Sequence, residues 1–184
     1  MQLRRAAAVS AALLVLPGAA LASGPERPDP GLRGPVLGDV ALRKAPSTSD
    51  VEAAMRECAN SRRRKRGLPA LKRAKPLGQA ARLHARNMRK KRFFDHTDPE
   101  GRGPGDRVAM FDTKRSWGVG ENIAAGYSSA KSACSAWMKS SGHRANILNP
   151  DYTHVGAGYS AKGAARYYVQ VFGFLRDQPQ GGSY

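Results

Sequence analysis

GVGENIAAGY, Gly118 to Tyr127, carries Glu121, the one carboxylate between Asp112 and Asp151 in a heavily basic chain. An acid framed by glycines and small residues in such a chain raises the question of what it answers to. Two histidines are the candidates: His96 in FFDHTDPEG and His143 in SSGHRANILNP. Both fall at junctions between predicted elements, where side chains are often aimed into clefts. Two neutral imidazoles and one carboxylate form a standard donor set for Zn2+ or a similar divalent ion. His96, Glu121 and His143 are therefore the candidate metal ligands, although their wide spacing does not itself bring them together. No HExxH occurs, so the compact metalloprotease signature is absent. The other two histidines read as structural, His84 among apolar helix positions and His154 at the start of a strand.

Outward from this stretch, the chain divides into four parts. Residues 1–22 have the layout of a secretory signal peptide: a basic start, an apolar stretch broken by Pro17 and Gly18, and the small-x-small site Ala20-Leu21-Ala22. The apolar run is shorter than the ~20 residues of a membrane-spanning helix, and no later segment is apolar enough to span. A secreted protein, extracellular or periplasmic, is expected. Residues 23–47 are a Pro/Gly-rich linker, residues 48–176 a single domain, and residues 177–184 a tail. The 184-residue chain has a formal charge of +17, and loss of Arg4 and Arg5 with the signal leaves +15. A surface of this charge favours anionic partners such as envelope polymers or lipid headgroups, or is simply solvated. The runs RRRKR (Arg62 to Arg66) and RKKR (Arg89 to Arg92) end predicted helices, where cations suit the dipole. Aromatics do not interleave with them, and no nucleic-acid-binding motif is present.

SDVE, with Ser49 and Glu52, reads as a capping box opening a first helix whose inner positions are Val51, Ala54, Met55 and Cys58. Gly67 and Pro69 end it. Pro76 opens a second helix, with Leu77, Ala80, Ala81, His84 and Met88 inward and Arg82, Arg86 and Arg89 toward water. FFDHTDPEGRGPGDR is a predicted loop anchored by its two aromatics. Another helix is predicted from Ser129 to Ser140, burying Ala130, Ala133, Cys134 and Trp137, with Gly142 as a helix end. Two alternating runs, Val155/Ala157/Tyr159 and Tyr167/Val169/Val171, form a hairpin around Gly163. The class is α+β. Cys58 and Cys134 can form one disulfide in an oxidising compartment or remain as two buried thiols, and no CxxC spacing supports a cysteine metal site. Asn122 and Asn146 are expected to tie loop backbone together.

Six strings occur in order: RRKRGLPAL, ARLHARNMRKKRFFDHTDPEG, GVGENIAAGY, AWMKSSGHRANILNP, VGAGY and YYVQVFG. Together they resemble the bacterial SCP-like extracellular branch of the CAP superfamily, the cysteine-rich secretory, antigen 5 and pathogenesis-related 1 proteins. The resemblance spans Val51 to Phe174. It implies an α/β/α sandwich with a small, mostly antiparallel sheet between helical layers, and a cleft lined by two histidines and two glutamates. His96, Glu121 and His143 match three of those four. The fourth, three residues after Trp137, is Ser140 here, so a negative charge and a second acid/base group are missing. Superfamily members are associated with lipid, protein and divalent-metal ligands. The expectation is a non-catalytic binding or scaffold module. The alternative is a metal-assisted hydrolase of peptide or envelope substrate, with Glu121 as its general base. A Ser–His nucleophile at Ser140 or Ser141 would need an oriented base and an oxyanion hole, neither of which is legible in sequence.

Overall fold

Alternation in the closing hairpin sets the two faces of the sheet, and a computed structural model describing residues 45–176 shows how helices cover both. The expected signal segment, most of the linker and the tail lie outside the described residues. In chain order the elements are α1 (Thr48–Arg64), β1 (Lys72–Arg73), α2 (Lys75–Lys91), α3 (Pro104–Ala109), β2 (Trp117–Ala125), α4 (Ala130–Lys139), α5 (Ser141–Leu148), β3 (His154–Lys162) and β4 (Ala165–Leu175). The sheet order is β1-β3-β4-β2, antiparallel except for the short β1–β3 pair.

Odd and even positions of β4 go to different layers, as a period of two requires. Tyr168 and Phe172 pack with Val51, Met55, Cys134, Trp137 and Ile147 from α1, α4 and α5. Val169 and Val171 pack with Leu77, Ala81 and Met88 from α2 and Val108 from α3. The result is the expected α/β/α sandwich. Cys58 of α1 and Cys134 of α4 are disulfide-bonded, which resolves the choice between bridge and free thiols. Trp137 is core, with its indole N–H donating to the Ile123 carbonyl at 3.0 Å.

Several local expectations shift. The capping box of α1 is Ser47 with Asp50, two residues before the predicted Ser49 with Glu52. Glu52 is instead buried and accepts a bidentate bond from Arg82, which is half-buried and not fully turned to water as predicted. Ala54 is exposed and Ala59 takes the inner position. Arg89 also turns inward, with its Nε donating to Ser160 Oγ at 2.8 Å. Arg63, within the basic run, is buried and donates to the carbonyls of Pro69, Ile147, Asn149 and Tyr152. Pro76 is the second residue of α2, not the first. The predicted loop contains α3, and Gly142 lies inside α5 and does not end a helix. The stretch 117–125 is a full strand, β2, which its small residues and polar Glu121 and Asn122 disguise.

Packing of α2 on β3 depends on two glycines. A Cβ at Gly156 would overlap the backbone of Leu77 and Gly78, and one at Gly158 the backbone of Ala81 and Arg82. Helix and strand therefore approach at backbone distance. Gly158→Ala should separate α2 from β3 and cost more than about 2 kcal/mol. Urea unfolding of the variant checks this, and an unchanged midpoint would contradict the close approach.

Candidate functional site

Glu121 lies on the β2 face that looks toward α2 and α3, and its side chain is 1% exposed. Burial at that level demands a charge partner, and the sequence contained one that spacing did not reveal. Arg107 of α3, itself fully buried, donates from Nη2 to both Glu121 oxygens, at 3.1 and 2.8 Å. Its Nη1 donates to the Arg102 carbonyl at 2.6 Å. His96 adds a third bond, Nδ1 to Glu121 Oε1 at 2.9 Å, while 48% of its side chain remains exposed. The lone acid thus answers first to an arginine and second to one of the two expected histidines.

The loop bearing His96 is held less by its aromatics than by Asp98. Phe93 packs against the α2-side core, but Phe94 is 53% exposed, so only one of the pair anchors the loop. Asp98 is buried and accepts from the amides of Glu100 and Arg102 and from Arg102 Nε. Behind the loop, His84 is fully buried, and its Nε2 donates to the Asp95 carbonyl at 2.8 Å. It is the hydrogen-bonded core histidine expected, though it also stands 3.7 Å from Glu121 Oε1. Burial holds the His84 imidazole below its ordinary pKa, Glu121 opposes that shift, and the Arg107 charge adds to it.

His143, in the first turn of α5, does not touch Glu121. Its Nδ1 is paired with Ser140 Oγ at 2.8 Å, the position where the resemblance places a second acid. Burial lowers the His143 pKa, and so does a charge on His96, which puts the two rings within electrostatic reach of each other. Asn122 and Asn146 do tie backbone, but of a strand and a helix and not of loops as expected: they stitch α5 to β2. Asn122 Nδ2 donates to the His143 carbonyl at 3.1 Å, and Asn146 Nδ2 donates to the Glu121 carbonyl and to Asn122 Oδ1. His154 starts β3, away from this group. Among the described residues, no three His, Cys, Asp or Glu side chains are arranged as a ready-made metal cage. Glu121 has little capacity left for a cation, because a guanidinium already occupies both of its oxygens. Each imidazole, in contrast, is held at Nδ1 by the protein, which leaves Nε2 as the ring nitrogen not engaged in these bonds.

A mostly antiparallel sheet between two helical layers, with a buried carboxylate bonded to an arginine and to one half-exposed imidazole, defines a small α/β/α domain with an ionisable cluster on one face of its sheet. Residues 57–173 match CAP, the cysteine-rich secretory protein family, and the chain belongs to that family. It is 40% identical over 123 residues to the uncharacterized protein YkwD of Bacillus subtilis (strain 168), covering 64% of this chain and 46% of YkwD. It is 32% identical over 138 residues to the uncharacterized membrane protein YlbC of the same organism, covering 74% of this chain and 37% of YlbC. The crystal structure of an extracellular SCP-domain protein from Bacillus anthracis str. Ames superimposes with a TM-score of 0.61 at 29% identity, over 73% of this chain and 45% of that one. The chain spans less than half the length of each of these relatives. Among its described residues, no helix is long and apolar enough to cross a membrane.

Two measurements test the site's energetics. Glu121→Gln leaves the Arg107 guanidinium buried without its counter-charge and should cost about 3–5 kcal/mol. Chemical denaturation reads this directly, and a wild-type midpoint would mean that the pair carries no such weight. The second test concerns pH. A histidine whose folded pKa is depressed binds its proton more readily in the unfolded chain, so it removes stability as pH falls through the unfolded value of about 6.5. Stability should therefore drop between pH 7.5 and 5, and the drop should shrink in His84→Gln. Parallel pH profiles of wild type and variant would show otherwise.

Proposed function

We propose that the protein is an exported CAP domain that works by binding rather than by covalent chemistry, with a divalent ion such as Zn2+ held between His96 and His143. The observation that supports this most is the fixing of both imidazoles at Nδ1, His96 by Glu121 and His143 by Ser140. A ligating histidine is commonly oriented in this way by a carboxylate or another acceptor behind it. Glu121 would then orient the His96 ring from behind without holding the ion itself, and His96 and His143 would be the protein groups that hold it. Bound there, the ion would supply a Lewis-acidic point for an anionic or carbonyl group of a lipid, protein or envelope ligand. The signal-like N-terminus and the likeness to an extracellular SCP-domain protein support export. YlbC, a membrane protein, is consistent with relatives that work at the envelope itself.

The hydrolase alternative has no specific observation in its favour. Glu121 as a general base would have to surrender Arg107 or His96 before it could take a proton from water.

Zinc should raise the melting temperature in a saturable way, by about RT ln(1 + [Zn]/Kd) in free energy. His96→Ala and His143→Ala should each abolish the rise. A flat zinc titration in the wild type would remove the metal from this reading and leave the binding module without its ion.

A further inference from the structure

A second concave surface lies apart from the histidine cleft, between the end of α2 and the β3–β4 turn. It is a groove of about 750 Å3 lined by Arg89, Lys90, Arg92, Lys162 and Tyr167, with no acidic side chain among its lining residues. Lys90, Arg92 and Lys162 are exposed, while Arg89 and Tyr167 are half-buried.

The helix dipole accounts for Arg89 and Lys90, which end α2, but not for Lys162, which belongs to a different element. Nor does it account for the backbone at Arg92. This residue follows α2 in the left-handed region, at φ 57, and is the one non-glycine residue with positive φ among those described. Glycine is the favoured residue at such a helix end, since any Cβ there is penalised. The chain keeps a long cation where glycine would be more stable. Arg89 meanwhile is tethered, its Nε bonded to Ser160 of β3. The floor of the groove is therefore preorganised, and its cations converge from two elements without a counter-charge.

From this geometry we infer that the groove binds a linear anionic polysaccharide, with Arg92 and Lys162 gripping its charged groups and Tyr167 lying against a sugar face. A single half-buried aromatic offers no stacking platform for successive bases, which disfavours a nucleic-acid strand. The concave shape favours a chain over a flat bilayer. The inference rests on the binding-module reading but is independent of its metal.

Dextran sulfate, neutral dextran of equal length and oligo(dT) of matched charge number are the probes, titrated at several salt concentrations. Dextran sulfate should bind with strong salt dependence and neutral dextran should not. Arg92→Gly and Lys162→Glu should each weaken dextran sulfate binding by about fivefold, while Lys65→Glu, a charge change elsewhere, should have a smaller effect. Arg92→Gly should at the same time raise the melting temperature by about 2–4 °C, so binding and stability move in opposite directions. The same variant should keep the wild-type response to zinc, which separates failure of the groove from failure of the metal site. Wild-type affinity in both groove variants, or an equal loss in Lys65→Glu, would overturn the site. Tighter binding of oligo(dT) than of dextran sulfate would overturn the polysaccharide.

Discussion

The pairing of Arg107 with Glu121 joins α3 to β2 in the layer beneath α2, and the ordering of the cleft follows from it. Both side chains are withdrawn from water, which is expensive for either one alone. Together they also position their neighbours: Arg107 Nη1 holds the Arg102 carbonyl, and Arg102 in turn is bound to Asp98. Asp98 shapes the loop on which His96 sits, and His96 returns to Glu121. A closed circuit of charge-assisted bonds thus links a strand, a short helix and a loop that has few apolar anchors of its own. Removing Glu121 or Arg107 leaves the other charge buried without its partner, and the remaining bonds of the circuit depend on that pair as in a polar network. The fixed direction of the His96 ring is one product of that circuit.

The gross fold was legible because apolar periodicity is a direct consequence of layering. The α2 pattern of Leu77, Ala80, Ala81, His84 and Met88 is fully buried, and the hairpin alternation from Val155 to Val171 divides between the two cores. Elements with other means of support were harder to read. β2 has few large apolar residues because Gly118 and Gly120 face aromatic rings at close range and Asn122 bonds across to α5. α3 is six residues long and is set by Gly103, Pro104 and Asp106, which also read as turn chemistry. Of the site, the meeting of His96 with Glu121 was anticipated. Arg107 was not, because nothing in a single basic chain marks one arginine as buried. The local sequence around Glu121 raises the question of its partner, and only the long-range contact with α3 answers it.

Ser140 stands where the resemblance places a second acid, and the structure shows what a hydroxyl does there. It is both the last cap of α4 and the first of α5, in an extended conformation that brings its hydroxyl to His143 Nδ1. A carboxylate there would favour the charged imidazolium; a neutral hydroxyl does not. With burial and the nearby His96 charge both lowering its pKa, His143 is kept in the form that has a lone pair to offer. A hydroxyl at this position therefore leaves His143 biased toward its neutral form.

The basic composition serves distinct ends in different places. Arg63 and Arg107 are used inside the molecule, on the carbonyls of Pro69, Ile147, Asn149 and Tyr152 and on Glu121, while half-buried Arg82 answers the buried Glu52. Guanidinium suits these sites because its planar fork can satisfy several acceptors at once while staying charged. What remains outside is not evenly spread. Lys91 pairs with Glu100, and Arg115 with Asp112, whereas the groove between α2 and the hairpin turn gathers cations with no acid among its lining residues. A purely solvating surface gains nothing from such convergence, because like charges brought together repel and cost stability. Convergence and a left-handed arginine at Arg92 both cost stability in the free protein, and the proposed anionic ligand would neutralise the charge part of that cost.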